Sequence, residues 1–391
     1  MQTPNYLPAT RYGGPIRSCH GLASALVRLG FTVDVVTSNV DGPNIIDAPI
    51  GEPVEVDGVK VRYCPVNTPK RVYASSTMRV AFENLVPKAD LLHINGMFLW
   101  PSVQAARAAK QAHVPYIVTP RGMLAPELIR AKSSFIKRSW IALFERRLLK
   151  NAHKIHVTAK LEAEGIRQQG LNLSPFAKIP NGVSLPDTNT LAGAGRTIWR
   201  NVPRGKRIAF LARLDWKKGV DIAISAAIQI PDAFLFIAGP DQIGLQSRFE
   251  NEIEAAGISN RIRFIGPLED QEKWGFLAEA DVHIVPSLNE NFGNTVIEAL
   301  AVGTPVLCAP EVGAGEWASQ LDPSCFVQRD GKSFATALEA LFSDHARMGR
   351  IRREAPRWVA ERFSWAAIAK QFISMAQLSD AKIPGSMQQR A

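Results

Sequence analysis

An α/β protein built from two doubly wound parallel-sheet domains is the fold class this sequence predicts. Three observations carry the prediction. Short apolar runs alternate with longer amphipathic ones along the chain, the pattern of strands covered by helices on both faces of a parallel sheet. The 391 residues suffice for two or three domains with full cores. A stretch rich in Gly, Pro, Asn and Thr at 181–207 breaks the alternation and divides it in two.

In the first half the runs read as strands at Phe31–Thr37, Val59–Cys64, Asp90–Ile94, Tyr116–Thr119 and Lys154–Thr158. Amphipathic spacing fills the gaps with helices, notably Pro15–Leu29, Pro101–Ala112 and Ser134–Lys150. The second half repeats the order, with strands read at Ile208–Leu211, Ala233–Ala238, Ile262–Ile265, Val282–Pro286 and Pro305–Ala309. The division is a first domain over 1–185, a linker over 186–206, a second domain over 207–360, and a helix and tail over 361–391 that return to the first domain. The start of the chain departs from this plan. A doubly wound domain opens with a central apolar strand, yet Gly13-Gly14 arrives with almost nothing apolar before it. The first strand is therefore expected to be cut short, with the natural protein beginning upstream of Met1.

Composition excludes several classes. With 46% hydrophobic and 21% charged residues the chain reads as an ordinary folded protein. Its four cysteines, Cys19, Cys64, Cys308 and Cys325, form no C-x-x-C pair, which argues against a zinc ribbon or disulfide scaffold and fits a reducing, cytoplasmic setting. No run of 18 apolar residues and no signal-peptide pattern is present. Residues 1–200 carry 25 Lys and Arg against 13 Asp and Glu, and residues 201–391 carry 21 against 23. The net charge of +10 thus lies wholly in the first half, and an anionic surface or substrate is expected there.

Three segments carry chemistry. In Pro286–Leu300, PSLNENFGNTVIEAL, two carboxylates stand eight apart, Glu290 and Glu298. After a strand, such a loop and helix would aim the amides of Phe292, Gly293 and Asn294 at an anion, and Gly293 would allow close approach. Glu290 would accept hydrogen bonds from sugar hydroxyls and Glu298 from another diol such as a ribose. The bland alternative makes Thr295–Glu298 a capping box. In Phe210–Val220, FLARLDWKKGV, Arg213 and Lys218 follow a strand where α/β sheets bind ligands, and together they would clamp a diphosphate. The alternative is a solvated basic loop. In Arg11–Arg17, RYGGPIR, Gly13 and Gly14 precede a helix beginning near Pro15, or they simply make a turn.

Together these segments resemble the family-4 retaining glycosyltransferases of GT-B architecture, which have two facing Rossmann-like domains. The resemblance spans nearly the whole chain. It rests on the glycines of YGGP, the Arg-Leu-x-x-x-Lys-Gly run at 213–219, and the E-x7-E element Glu290–Glu298 within ENFGNTVIEALAVGTPV. It implies that Arg213 and Lys218 bind the donor diphosphate, Glu290 the transferred sugar and Glu298 the ribose. Backbone amides of Phe292, Gly293, Asn294, Thr295 and Gly14, beside Gly13, would complete the phosphate site. The turn Gly266-Pro267-Leu268 would lie against the nucleobase.

One departure stands out. Many relatives carry a histidine in the loop after the strand read at Tyr116–Thr119; here Arg121 occupies that slot. A guanidinium is too basic for a general base at neutral pH, so an electrostatic role on phosphate charge is weighed above a structural one. His93, in LLHING, is the best-placed histidine, although packing is the commoner role for such a residue. The loop after it, with Asn95, Phe98 and Trp100, resembles the acceptor-side loop of some polysaccharide-building members, and its aromatics would stack on a sugar or join the core.

Arg130–Lys154 holds eight Lys or Arg and one Asp or Glu. With Phe135, Trp140, Leu143, Phe144 and Leu148 at helical spacing it reads as a basic amphipathic helix. Such a helix lies on anionic lipid, at about 1 kcal/mol per cation, or packs on its own sheet.

The expected activity is retaining hexosyl transfer, of mannose or another hexose, from a nucleotide-diphosphate sugar to a saccharide or polyprenyl-linked acceptor in surface polysaccharide or lipopolysaccharide biosynthesis. No Asp-x-Asp motif occurs, so neither metal nor cofactor is expected. The protein is placed in the cytoplasm, with peripheral contact on the inner face of the plasma membrane. A GT-B epimerase and a non-enzymatic basic membrane binder are the competing classes. Nucleic acid is not an expected partner, because no base-reading motif is present.

Overall fold

The computed structural model describes residues 1–376 except 12, 68–69, 132, 172, 187–196 and 269. The chain divides into two compact units, residues 1–182 with 365–391, and residues 183–364.

The strands of the first unit are β1 Asp34–Ser38, β2 Val40–Asp41, β3 Asn44–Ile45, β4 Pro53–Val56, β5 Val59–Cys64, β6 Leu92–Asn95, β7 Tyr116–Thr119, β8 Lys154–Val157 and β9 Phe176–Lys178. One side of the main sheet runs β4-β5-β1 and the other β6-β7-β8-β9, while β2 and β3 form a separate ribbon. Between β1 and β6 lies Gln2, which bridges Val36 and Ile94 in parallel. Its amide donates to the His93 carbonyl at 2.8 Å, its carbonyl accepts from the Asn95 amide at 3.0 Å, and the Val36 amide donates to the Met1 carbonyl at 2.9 Å. Residues 1–3 thus pair groups of β1 and β6 that the sequence reading left bare.

β6 and β7 are buried along their whole length, as strands covered on both faces must be. Two details differ from the sequence expectation. The run read as strand from Phe31 starts only at Asp34, because the Phe31 amide donates to the Leu26 carbonyl and closes the preceding helix, Gly14–Arg28. β4 pairs antiparallel with β5; Asp57 and Gly58, at φ 50° and 78°, make the two-residue turn that such a hairpin favours.

The second unit has β10 Arg207–Leu211, β11 Phe234–Ala238, β12 Ile262–Gly266, β13 Val282–Val285 and β14 Val306–Cys308. They form a parallel sheet in the order β12-β11-β10-β13-β14. The span read as a linker over 186–206 is not all connection. Residues 187–196 lie outside the described residues, whereas Trp199 and Val202 belong to this unit's core. Trp199 stacks on Phe236, with centroids 4.4 Å apart and planes at 6°, and on Phe276 at 5.4 Å.

The helix Trp365–Ala376 belongs to the first unit. There Ile368, Phe372 and Met375 join Leu22, Ile117 and Ile179 in one apolar cluster. A Cβ on Gly21 or Gly182 would lie within 2.4 Å of the Trp365 ring, so only glycine permits that contact. The rest of the tail, 377–391, lies outside the described residues.

Candidate functional site

In the second unit the chain runs β10, β11, β12 to one side of the sheet and β13, β14 to the other. The strand order reverses between β10 and β13, and α/β sheets bind ligands beyond the carboxyl ends of the strands at such a point. The loops after these two strands carry Arg213 and Lys218 on one side and Glu290 on the other. They are joined: the Leu288 amide donates to the Lys217 carbonyl at 2.7 Å. Gly219, at φ 73°, starts the helix Val220–Ile228, and a Cβ there would lie 2.3 Å from the Pro286 carbonyl oxygen. Only glycine tolerates both the left-handed backbone and that approach.

The result is a direct ion pair between Lys218 Nζ and Glu290 Oε1, with side chains 17% and 22% exposed. Each partner remains reachable, the ammonium as donor to an anion and the carboxylate as acceptor from hydroxyls. Arg213 is more open and donates to Gln242 Oε1 at 3.4 Å. The loop holding Gln242 is set by Asp241, whose carboxylate accepts from four backbone amides between Ile243 and Gln246. These bonds lower its pKa.

Glu290 is fixed from behind by β-type pairing with Val312. Its amide donates to the Glu311 carbonyl at 3.1 Å, and its carbonyl accepts from the Gly313 amide at 3.0 Å. Phe292 is buried at 4% exposure, so its ring belongs to the core. Gly293, at φ 87°, is the N-cap of the helix Asn294–Ala301, whose first turn includes Thr295. That placement removes the capping-box reading, since Thr295 lies inside the helix and Glu298 instead pairs with Lys273 at 2.9 Å. Lys273 also lies 4.5 Å from the centroid of the Trp274 ring. Gly266 ends β12 at φ 75°, and its carbonyl accepts from the Gly239 amide at 2.8 Å. Pro267 is exposed and Leu268 partly so.

In the first unit the order reverses beside Gln2, between β1 and β6. Gly13, at φ 57°, is the N-cap of the helix that opens at Gly14; Tyr12, before it, lies outside the described residues. Arg121, itself at φ 58°, follows β7 and reaches across the sheet edge. It donates from Nη2 and Nε to Asn95 Oδ1 at 2.9 and 3.2 Å, from Nη1 to Asn181 Oδ1 at 3.1 Å, and from Nη2 to Cys19 Sγ at 3.5 Å. None of these partners is a carboxylate. A half-buried guanidinium held this way keeps its charge for an anion.

His93 is not at a surface. It is 4% exposed, and its Nε2 meets Thr119 Oγ1 at 2.7 Å; Thr119 Oγ1 in turn meets His156 Nδ1 at 3.0 Å. Burial lowers the pKa of both rings, to about 4 for His156, and the Arg121 charge adds to the effect. His93 is therefore a packed, neutral residue, and its place among the acceptor-side candidates is corrected accordingly.

The loop after β6 is held by a carboxylate that no sequence pattern flagged. Phe98 sits at φ 60°, and its amide donates to Glu145 Oε1 at 2.7 Å; the Trp140 indole donates to the same oxygen at 2.9 Å. Trp100 packs edge-on against Trp140 and Phe144. Glu145 is fully buried, and burial raises its pKa from 4.5 to about 7, opposed by the two hydrogen bonds. The folded form thus holds its proton when the unfolded chain has lost it. Stability from this group is fullest below about pH 4.5 and falls as pH rises to about 7, by on the order of 3 kcal/mol. Glu145→Gln should therefore gain stability relative to wild type between pH 5 and pH 8, read by urea unfolding. A difference independent of pH would contradict this assignment.

Sequence reasoning missed Lys273, Asn181, Cys19 and Glu145. Asn181 read only as the start of the Gly-, Pro-, Asn- and Thr-rich stretch, and the other three carried no local signal.

Comparison with known proteins adds the following. The family model described as glycosyl transferase 4-like domain matches residues 13–182, and that described as glycosyl transferases group 1 matches residues 196–358. A D-inositol 3-phosphate glycosyltransferase from Corynebacterium urealyticum is 26% identical over 387 residues, covering 90% of this chain and 88% of that protein. Among solved structures, sucrose-phosphate synthase from Thermosynechococcus elongatus is similar with a TM-score of 0.72 and 22% identity, covering 93% of each chain. Anabaena HepE in complex with UDP and glucose is similar with a TM-score of 0.74 and 18% identity, covering 96% of this chain and 98% of that one. These two structural likenesses speak for the fold.

Proposed function

Since the chain belongs to the GT-B glycosyltransferases, a 4-like domain followed by a group 1 domain, we propose that it moves a hexose from a nucleotide-diphosphate sugar with retention at the anomeric carbon. The acceptor in this reading is a saccharide or polyprenyl-linked saccharide of a surface polysaccharide, and the hexose is mannose or another. No metal takes part. The observation that carries it is the Lys218–Glu290 pair at the point where the strand order reverses. The similar HepE structure, which holds UDP and glucose, supports a nucleotide-sugar donor.

In this mechanism the Arg213 and Lys218 charges and the amides opening the helix Asn294–Ala301 meet the charge that develops on the departing diphosphate. Glu290 accepts from hydroxyls of the transferred sugar. Glu298 takes the ribose, exchanging its bond to Lys273 for diol donors. Gly266, Pro267 and Leu268 line the nucleobase. Arg121 adds positive charge for substrate phosphate. No side chain here serves as base, so the departing phosphate oxygen takes the acceptor's proton on the face it leaves, consistent with retention.

Calorimetry across GDP- and UDP-sugars tests the donor reading. Glu290→Ala should lower turnover while nucleotide affinity holds, whereas Glu298→Ala should chiefly weaken nucleotide binding. Unchanged affinity and turnover in Glu298→Ala would remove it from the site.

Contact with an anionic membrane surface through 130–154 completes the proposal. Within it, Phe135, Ile136 and Leu143 are 84%, 67% and 70% exposed beside the segment's cations. Among the described residues no helix is long and apolar enough to cross a membrane. The segment is not one helix, as the sequence reading had it. Pro126–Ala131 ends, Ser133 turns the chain at φ 52°, and a second helix runs Ser134–Trp140, widens to a π turn over Ile141–Glu145, and resumes at Arg146–Lys150. Lys132, at the break, lies outside the described residues.

A further inference from the structure

The break at Ser133 folds two helical segments against each other. Lys137 Nζ on the second donates to the Leu128 carbonyl on the first, tying them together. Between them and the end of the helix Lys160–Arg167 opens a cavity of about 400 Å³. Its floor includes Ile129, Ile141 and Leu171, and Arg130, Arg138 and Arg146 stand around it. No carboxylate lines it among the described residues. The buried carboxylate of the same segment, Glu145, is turned away to Phe98 and Trp140.

Three like charges around one cavity repel unless an anion joins them, and guanidinium forks match phosphate oxygens two at a time. The exposed apolar side chains on the same segment, Phe135, Ile136 and Leu143, give that anion a context: they would enter the acyl boundary while the charges stay at headgroup depth. We infer that this cavity is a specific seat for the phosphodiester headgroup of an anionic lipid, held by Arg130, Arg138 and Arg146. The inference rests on the membrane contact proposed above and adds a stoichiometric pocket to what is otherwise a diffuse attraction of charges.

The two are separable with full-length protein, two lipid probes and glycerol phosphate as the acyl-free comparison. One is dihexanoyl phosphatidylglycerol below its micellar concentration, followed by tryptophan fluorescence; the other is vesicles of phosphatidylcholine with phosphatidylglycerol, followed by co-sedimentation. The short-chain lipid should bind saturably. The double variant Arg138→Gln, Arg146→Gln should weaken that binding at least tenfold, while the equal charge loss of Arg147→Gln, Lys150→Gln, outside the cavity, should leave it within about twofold. Matching thermal melts would show that all variants are folded. Equal losses in the two double variants would overturn the pocket, as would equal affinity for glycerol phosphate or vesicle binding without short-chain binding. Absence of binding to both the short-chain lipid and the vesicles would overturn the membrane reading as well.

Discussion

Alanine at Lys218 is expected to lower kcat by about 10²–10³-fold, the usual worth of one preorganised contact to developing charge. Two losses combine in it. The leaving diphosphate keeps charge that Arg213, alone of the two clamping cations on that loop, is left to neutralise, and Glu290 loses the ammonium that orients it. Arg213→Ala should act by the first route alone, because its only polar contact among the described residues is the long one to Gln242. The double variant Lys218→Ala, Glu290→Ala should therefore fall short of the product of its single effects, as contacting residues generally do. Nucleotide release at saturating donor measures all of this. Losses below threefold in both single cation variants would show that the diphosphate is neutralised elsewhere.

The largest expected effect on stability lies away from these loops. Trp199 is 1% exposed, lies between Phe236 and Phe276 in two stacked contacts, and donates from its indole to the Phe276 carbonyl at 2.9 Å. Truncating a buried tryptophan to alanine leaves a large void and typically costs about 3–5 kcal/mol. Here it also strands an acceptor in the core. Trp199→Ala should lower the unfolding free energy of the second unit by that amount in urea titrations. A loss under about 1 kcal/mol would mean that the cavity refills.

Trp199 also shows where the sequence stopped being readable. β6, β7 and β13 are buried at every position and stand out as short, largely apolar runs, with His93, Asn95, Thr119 and His283 as their polar members. The stretch of chain around Trp199 has no apolar period, and the Gly, Pro, Asn and Thr scattered through it made its anchoring side chains, Trp199 and Val202, read as part of a linker. β4 alternates between exposed and half-buried positions and merged with its surroundings, although the Asp57-Gly58 pair was a usable hairpin signal. At the site, Arg213, Lys218, Glu290 and Glu298 were legible because each follows a strand at a fixed offset. Two partners were not: Lys273 reaches Glu298 from 25 positions away, and Cys19 meets Arg121 from 102, distances that no local pattern encodes.

The helix Trp365–Ala376 imposes an order on biosynthesis. The pocket that receives Phe372 is made of residues no later than 182, yet its occupant emerges only after the whole second unit has been translated. At about 5–20 residues per second, the nascent first unit waits roughly 10–40 seconds with Leu22, Ile117 and the His93 and His156 rings, all of which Phe372 or its neighbours will cover, open to water. The unit that starts first is thus finished last. A chain released after position 364 would join a complete second unit to a first unit with an uncovered apolar groove, a natural binding site for a chaperone.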